Sequence, residues 1–309
     1  MFKYIFAALI FLSPHHLSAQ VKKDSIVNIE GRLVTLSEVV VNNKINVPAF
    51  IDRVKNDTTF YKAFRTLHII GFTALNDIRM VNKNQEINAS LHSKIKQVRN
   101  NNCRSMQVLE EATTGDIYDA NKKFNYYTGE MYAGLLFTKG TICGEDNIIK
   151  GKALSTAGLS GIEKHKAQLK MLFFNPGKEI KGLPFISGKT AIFDKDMEDK
   201  YDMNIDMEQY NKTSCYVFTL KVKPDKKSDV VIDEMVTWFN DKTFEIVARN
   251  YSLSYDAGVY DFNVQMQVEL TKFEDHLVPS LIRYNGNWKV MFKKRERGIF
   301  TATLFDFVK

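Results

Sequence analysis

Polar and apolar residues alternate with a period of two along most of the second half of the chain. Between Asn250 and Leu270, apolar side chains occupy every second position, interrupted only at Asp256-Ala257-Gly258. The same period runs through the row Tyr216, Phe218, Leu220 and Val222. Because successive side chains of a β-strand point to opposite faces, this pattern predicts strands with one dry face and one wet face.

Turn-forming residues separate the alternating segments. Further strands are predicted over residues 230–239, 244–255, 277–284, 288–292 and 300–307, with turns at 240–243, 256–258 and 285–287. Consecutive strands joined by tight turns form an antiparallel meander, here of six or seven strands. The 22 Phe and 13 Tyr residues against 6 Pro agree with a sheet-rich fold.

Helical periods are confined to the part of the chain before residue 178. One helix is predicted to begin at Pro48 and a second, short one after Asp57-Thr58. Ser160 and Glu163 have the spacing of a capping box, so a third helix is predicted from there to Asn175-Pro176-Gly177. These helices are the expected cover for the dry face of the sheet.

The segments between residues 68 and 144 carry weaker patterns. Two alternating arms around residues 82–85 predict a β-hairpin. The segment 99–122 is polar and poorly patterned, with a short helix over Ser105–Ala112. The aromatic, glycine-broken segment 124–144 predicts strands with an exposed loop. We therefore expect an α+β, mainly β fold: a curved antiparallel meander sheet, half-barrel-like, packed on two or three short helices.

The chain begins with the three-part layout of a secretory signal peptide, with Lys3, an apolar run over residues 5–12 and small residues before Gln20. The run is shorter than the roughly 20 residues that span a bilayer, which disfavours a membrane anchor, and no lipid-anchor Cys follows it. We expect residues 1–19 to be the signal, 20–47 an extended leader and 48–309 a single mainly-β domain. The mature chain is then periplasmic or secreted, without a transmembrane segment.

The expected location outside the cytoplasm decides which anionic partners the net charge of +7 could attract. Outside the cytoplasm the anions available are lipid head groups, lipopolysaccharide and acidic glycans, so no nucleic-acid partner is expected. The basic run Lys293–Arg297 has two interpretations. It is either a charged edge strand that discourages aggregation or a contact with a membrane surface.

Three cysteines in an oxidising compartment leave at least one thiol unpaired. Cys103 and Cys143 both lie in polar, turn-like surroundings, and they are the pair we expect if any disulfide forms. Cys215 lies in a strand-like run and is predicted to be a small buried apolar residue.

Catalytic and cofactor motifs are missing from the sequence. There is no HExxH, GxSxG, P-loop or GxGxxG motif, and we expect a non-enzymatic protein without a cofactor. The acidic segment 194–206 lacks the Gly and Glu that an EF-hand needs, so it is interpreted as a solvated loop. The alternatives left open are an irregular calcium site of Asp194, Asp196 and Glu198, and an enzyme that uses Glu130 and Glu145.

Two resemblances follow from these segments. The segment "LVTLSEVVV" at residues 33–41 resembles the end of the carboxypeptidase-regulatory-like module of Bacteroidota envelope proteins. Residues 201–254, with "WFNDKT" at Trp238–Thr243, are similar to the periplasmic sheet region of those proteins. The helix followed by a meander also resembles the lipoprotein-carrier (Lol carrier) fold, which implies a half-barrel that binds acyl chains.

The leading hypothesis is an exported envelope protein that binds a lipid or lipoprotein acyl chain on the dry face of the sheet. The residues assigned to the ligand are Tyr251, Leu253, Phe262, Val264 and Met266, with plain core packing as the alternative for each. The second hypothesis is a periplasmic scaffold that binds an outer-membrane protein partner through its exposed sheet edge or through an aromatic patch. That patch comprises Tyr126, Tyr127, Met131 and Tyr132.

Overall fold

The computed structural model describes residues 25–29, 32–37, 40–41, 45–149, 171–180, 186, 188–256, 258, 260–290 and 294–309. The strands are β1 Ser25–Ile29, β2 Arg32–Leu36, β3 Gly71–Val81, β4 Ile87–Asn100, β5 Cys103–Thr114, β6 Thr141–Cys143, β7 Tyr201–Tyr210, β8 Thr213–Val222, β9 Ile232–Asn240, β10 Ile246–Asp256, β11 Tyr260–Phe273, β12 His276–Val290 and β13 Glu296–Val308. The helices are α1 Val47–Asn56, α2 Thr59–Thr66, α3 Tyr127–Leu136 and α4 Lys195–Glu198, and residues 171–174 are also helical. Short 3-10 helices cover Gly188–Thr190 and Pro224–Asp229. The predicted signal peptide and the start of the capping-box helix lie outside the described residues.

All thirteen strands of the described residues belong to one open, curved sheet, in the order β1-β2-β7-β8-β9-β10-β11-β12-β13-β3-β4-β5-β6. The expected mainly-β fold is confirmed, and the predicted meander of six or seven strands corresponds to the seven strands β7 to β13 of this larger sheet. The last strand, β13, pairs with β3 and so joins the N-terminal hairpin to the C-terminal meander. At the other end, β2 of the leader pairs in parallel with β7. The solvated loop expected over 194–206 is wrong beyond residue 200, where β7 begins.

The predicted alternation is confirmed: one face of the sheet carries buried apolar side chains and the opposite face is mostly polar. The inner face carries the apolar rows, among them Tyr216, Phe218, Leu220 and Val222, all of which are buried. Helix α1 lies on this face, because the Phe50 ring centroid lies 5.4 Å from that of Phe239 and 6.4 Å from that of Phe218. Burying a side chain of this size contributes about 1.5–3 kcal/mol, so the helices and the sheet stabilise each other. We call the opposite, mostly polar face the outer face.

The turn predicted at residues 285–287 is wrong, because β12 runs straight through it. Gly286 pairs with Val264 on one side and Gly298 on the other. A Cβ on Gly286 would lie 2.7 Å from the Tyr284 hydroxyl, and one on Gly298 would lie 2.6 Å from the Phe300 ring. The glycines are therefore not turn residues. They leave room for the two aromatic rings on the inner face.

Two other predictions in the first half are corrected. Ser105–Ala112 is not a helix but part of β5, whose residues 107–114 are exposed on both faces. A strand with two wet faces has no hydrophobic period for the sequence to show. The segment predicted as strands with a loop contains α3, followed by the short β6. The hairpin of β3 and β4, in contrast, is confirmed, with its turn at 82–86.

The structure also tests the predictions for the cysteines and for the basic run. Cys103 and Cys143 are joined by a disulfide between β5 and β6, and Cys215 is free and buried. The edge-strand interpretation of Lys293–Arg297 is wrong for Glu296 and Arg297, which begin β13 between β12 and β3, while Lys293 lies outside the described residues. Within the described residues, every helix is too short or too polar to cross a bilayer.

Candidate ligand-binding site

Three helical segments and two central strands meet around a small apolar cavity on the inner face. The lining comprises Phe64 of α2, Tyr132 and Leu136 of α3, Phe173 and Phe174 of the segment 171–174, Met266 of β11 and Ile282 of β12. The cavity holds about 10 Å³. That is space for about one water molecule and far too little for an acyl chain. The dry face is therefore filled by the protein's own side chains.

An aromatic stack forms the floor beside this cavity. The rings of Tyr284 and Phe300 are stacked at 4.8 Å and 16°. Tyr132 of α3 lies against them, with its ring centroid 4.2 Å from that of Phe300 and 6.2 Å from that of Tyr284. The paired glycines at 286 and 298 make this flat packing possible, since a Cβ at either position would enter a ring.

The hydroxyl groups of the buried tyrosines at this site differ in one respect. Tyr251 donates to the carbonyl oxygen of Phe173 at 2.5 Å, and Tyr284 accepts from the indole nitrogen of Trp288 at 2.6 Å. The hydroxyl of Tyr132 is buried without a hydrogen-bond partner in the described part of the chain. Burial raises its pKa, so the group stays protonated and able to donate. A buried, unsatisfied hydroxyl costs about 1–3 kcal/mol.

Helix α3 is held in place from a distant part of the chain. Its first turn is capped by the Glu296 carboxylate, which accepts from the backbone nitrogens of Tyr127 at 2.9 Å and Thr128 at 2.7 Å, and from the Thr128 hydroxyl at 2.8 Å. A carboxylate at a helix N-terminus satisfies free N–H groups and complements the helix dipole. This cap joins α3 to the start of β13, next to the stacked Phe300.

The structure places all five residues assigned to the ligand on the inner face. Tyr251, Leu253, Phe262, Val264 and Met266 are all buried, and Phe262 stacks on Trp288 at 4.5 Å. Of the five, Met266 alone lines the cavity. The others are core in the described structure. The sequence assigned Tyr132 to the partner patch and did not connect it, Leu136 or Ile282 with a ligand, because only the three-dimensional packing brings α3 onto this part of the sheet.

The aromatic patch proposed for a protein partner does not exist as one exposed surface. Met131 and Tyr132 are buried in the core. Tyr126 is half-buried and its hydroxyl donates to Asp116 at 2.5 Å. Because the segment is a helix rather than a loop, its aromatic residues are divided between its buried and its partly exposed sides.

The carboxylates considered for metal or catalysis have other roles. No three His, Cys, Asp or Glu side chains converge as metal ligands among the described residues. Glu198 is buried and pairs with Lys55 at 3.0 Å, while Asp194 precedes α4 as its N-cap residue. Glu130 is exposed on α3, and Glu145 lies in a separate ionic cluster.

That ionic cluster joins α2, β5 and the loop after β6. Glu145 contacts Nδ1 of His68 at 2.7 Å and Nε of Arg104 at 2.5 Å. Arg104 also donates to Gln97, whose amide nitrogen in turn donates to two backbone carbonyls near the end of α2. Burial lowers the pKa of His68. Burial alone would raise the pKa of Glu145, but the bonds and charges of Arg104 and His68 outweigh it and lower that pKa. These contacts hold the loop after β6 against β5 and the residues that follow α2, which indicates a structural role for the cluster.

Comparisons with known proteins give no family for this chain. No family model and no curated protein matches the sequence. Among solved structures, a DUF1329 family protein from Desulfovibrio piger aligns over 81% of this chain and 93% of its own, at 12% identity and a TM-score of 0.25. A putative outer membrane lipoprotein-sorting protein domain from Vibrio parahaemolyticus aligns over 84% and 89%, at 8% identity and a TM-score of 0.24. Likenesses this weak do not decide what the chain does.

Proposed function

We propose that the protein is an exported, non-enzymatic carrier that binds an amphipathic lipid, with the acyl chain between the inner face of the sheet and helix α3. The observation that carries the proposal is the apolar cavity at the contact of helices and sheet, lined by one buried hydroxyl that has no partner among the described residues. An ester or carboxyl oxygen of the ligand accepts from Tyr132, and the apolar lining receives the chain. The signal-peptide layout supports an envelope location.

The ligand must displace protein side chains, because the cavity is small. Withdrawing three buried groups such as Tyr132, Leu136 and Phe173 from the sheet costs about 5–9 kcal/mol. An acyl chain that buries about ten methylenes gains about 8 kcal/mol, at roughly 0.8 kcal/mol each. The two terms nearly cancel, so the hydrogen bond to Tyr132 and the burial of further methylenes decide the net affinity. A reversible carrier needs such a balance, since it must also release its ligand.

The test is ligand binding by purified, delipidated protein. Binding of a fluorescent fatty acid is measured by fluorescence titration, and native mass spectrometry shows whether a lipid co-purifies from the envelope. Tyr132→Phe is expected to weaken binding about tenfold, the value of one hydrogen bond of roughly 1.4 kcal/mol. The matched control is Tyr201→Phe, because Tyr201 is equally buried but donates to the Ile232 carbonyl at 2.9 Å, away from the cavity. Wild-type protein that binds no fatty acid and carries no lipid would refute the proposal.

A second candidate function is a scaffold that adds a strand of a partner protein to the edge of β5. In the described part of the chain, β6 pairs only with Cys103–Ser105, so the rest of this edge has free backbone donors and acceptors. Val108 and Leu109 are 58% and 48% exposed there. Replacing Val108 by Pro would remove one backbone donor. If a partner binds this edge, that variant loses it in a pull-down while fatty-acid binding is unchanged.

A further inference from the structure

The outer face of the sheet carries a cleft that the lipid proposal does not use. It crosses β9 to β13 and holds about 460 Å³. Its lining includes six uncharged side chains that end in amides or hydroxyls: Asn250, Ser252, Gln265, Gln267, Asn285 and Thr301. Glu234 and Arg283 are the charged residues of the lining, and their opposite charges leave it without a net charge.

A second cleft on the same face has more ionisable residues. It lies mainly on β3 to β5, and beside uncharged residues such as Asn76 and Ser93 its lining includes Asp77, His92, Lys94, Glu110 and Glu111. Its ionisable side chains contact one another: Nδ1 of His92 lies 3.4 Å from Asp77, and Lys94 pairs with Glu110 at 3.9 Å. Charged, self-paired side chains are the ordinary solution for a wet sheet face in a chain that is 26% charged. The first cleft has mostly uncharged polar side chains instead, and this difference needs another explanation.

An aromatic pair lies on the outer face beside this cleft, next to the residues that line it. Tyr210, at the end of β7, lies with its ring centroid 5.1 Å from that of Trp238, two residues beyond the cleft residue Val236 on β9. Both rings are only partly buried. The β7–β8 turn folds over the outer face, because Tyr210 and Asn211 both donate to Glu269 of β11, at 2.9 and 3.4 Å.

Hydrogen bonds connect this aromatic pair to the cleft and hold the polar groups between them in place. The Gln267 amide nitrogen donates to the Tyr210 hydroxyl at 3.5 Å and to Glu269 at 3.3 Å, and the Gln267 oxygen accepts from Arg283 at 3.2 Å. The Trp238 indole donates to Glu208 at 3.3 Å. Side chains fixed before binding lose little entropy when a ligand arrives, which favours affinity. The side-chain oxygen of Asn250, in register with Gln267, has no donor among the described residues.

We propose that this cleft binds an uncharged carbohydrate chain. A sugar ring has apolar C–H faces that pack on an aromatic ring, and hydroxyls that both donate and accept hydrogen bonds. Trp238 and Tyr210 supply the aromatic surface, and the amides and hydroxyls supply matched partners for the hydroxyl groups. The absence of net charge in the lining favours a neutral glycan over an anionic one. The site is on the face opposite to the lipid cavity, so the two proposals stand or fall separately.

Isothermal titration calorimetry with cellohexaose and with the hexasaccharide of N-acetylglucosamine tests the proposal, with heparin as the anionic comparison. We expect one of the two neutral probes to bind with a Kd of about 1 mM or below. Trp238→Ala is expected to weaken that binding at least tenfold, and Arg283→Ala, at an exposed position, to weaken it severalfold without a folding defect. The matched control His92→Ala, in the charged cleft, is expected to leave it unchanged.

Three results overturn the proposal. The first is no binding of either neutral hexasaccharide, and the second is binding of heparin alone. The third is neutral-sugar binding that is as strong in the Trp238 and Arg283 variants as in the wild type. Circular dichroism of each variant separates a lost site from a lost fold, and Arg283→Ala keeps the test decisive if Trp238→Ala does not fold.

Discussion

Removing the Tyr132 hydroxyl should stabilise the ligand-free protein, which is the reverse of the usual effect of a core substitution. Tyr132→Phe keeps the ring against Phe300, at 4.2 Å between centroids, and deletes a buried polar atom that has no described partner. The unpaired hydroxyl costs about 1–3 kcal/mol, so the variant should gain about 1–2 kcal/mol. For a large domain, each kcal/mol corresponds to roughly 2–4 °C in Tm.

The comparison with Tyr201→Phe supplies the internal standard. Tyr201 donates to the Ile232 carbonyl at 2.9 Å, so its substitution leaves a buried acceptor unpaired and should cost about 1–2 kcal/mol. The assay is urea unfolding of delipidated protein, with the midpoint and the slope compared between the three proteins. If Tyr132→Phe lowers the free energy of unfolding as Tyr201→Phe does, the Tyr132 hydroxyl has a partner and the lipid proposal loses its main support.

Three other predictions concern the stability of the folded protein in urea. Gly298→Ala should lower the free energy of unfolding in urea by about 1–3 kcal/mol, because its Cβ would lie 2.6 Å from the Phe300 ring. Cys103→Ser should cost about 4 kcal/mol on the chain-entropy model, because the disulfide to Cys143 closes a separation of 40 residues; reductant should lower the wild-type urea midpoint in the same way. Burial lowers the pKa of His68 below its ordinary 6.5, so the unfolded chain binds its proton first and stability should fall as the pH drops from 6.5 through the lower folded value. His68→Asn should flatten that part of a urea-midpoint profile against pH.

Alternation was enough to predict the C-terminal meander because these strands each have one wet and one dry face. The row from Tyr251 to Leu270 is inner-face core, as its period implied. The same rule put a turn at Asn285-Gly286-Asn287, where the residue types are those of a hairpin turn. What keeps β12 straight there is the neighbouring Tyr284 ring, which occupies the space that a Cβ at Gly286 would need. This is a packing contact in the folded sheet, and the local residue types at Asn285-Gly286-Asn287 do not reveal it.

The missed elements depend on contacts between distant parts of the chain. Helix α3 begins at Tyr127 because Glu296, 168 residues beyond Thr128, accepts hydrogen bonds from its first backbone amides. Strand β5 exists because β4 pairs with it from Asn100 to Ser90, although its own residues bury almost nothing. Around α3 the local sequence contains aromatic residues and glycines, which are typical of strands. Along β5 it is a polar stretch without a hydrophobic period.

The same limit explains why the sequence identified the dry face of the sheet but not the residues that line the cavity on it. An apolar row looks identical whether a ligand or the protein's own helix covers it, so Tyr251, Leu253 and Phe262 were as reasonable as any others. Packing assigns them to the core, and the hydroxyl of Tyr251 donates to the Phe173 carbonyl oxygen. Tyr132 differs, because its buried hydroxyl has no partner among the described residues, and an unsatisfied buried polar group in a native structure needs an explanation. The lipid proposal supplies one, an acceptor oxygen on the ligand, and the comparison of Tyr132→Phe with Tyr201→Phe tests it.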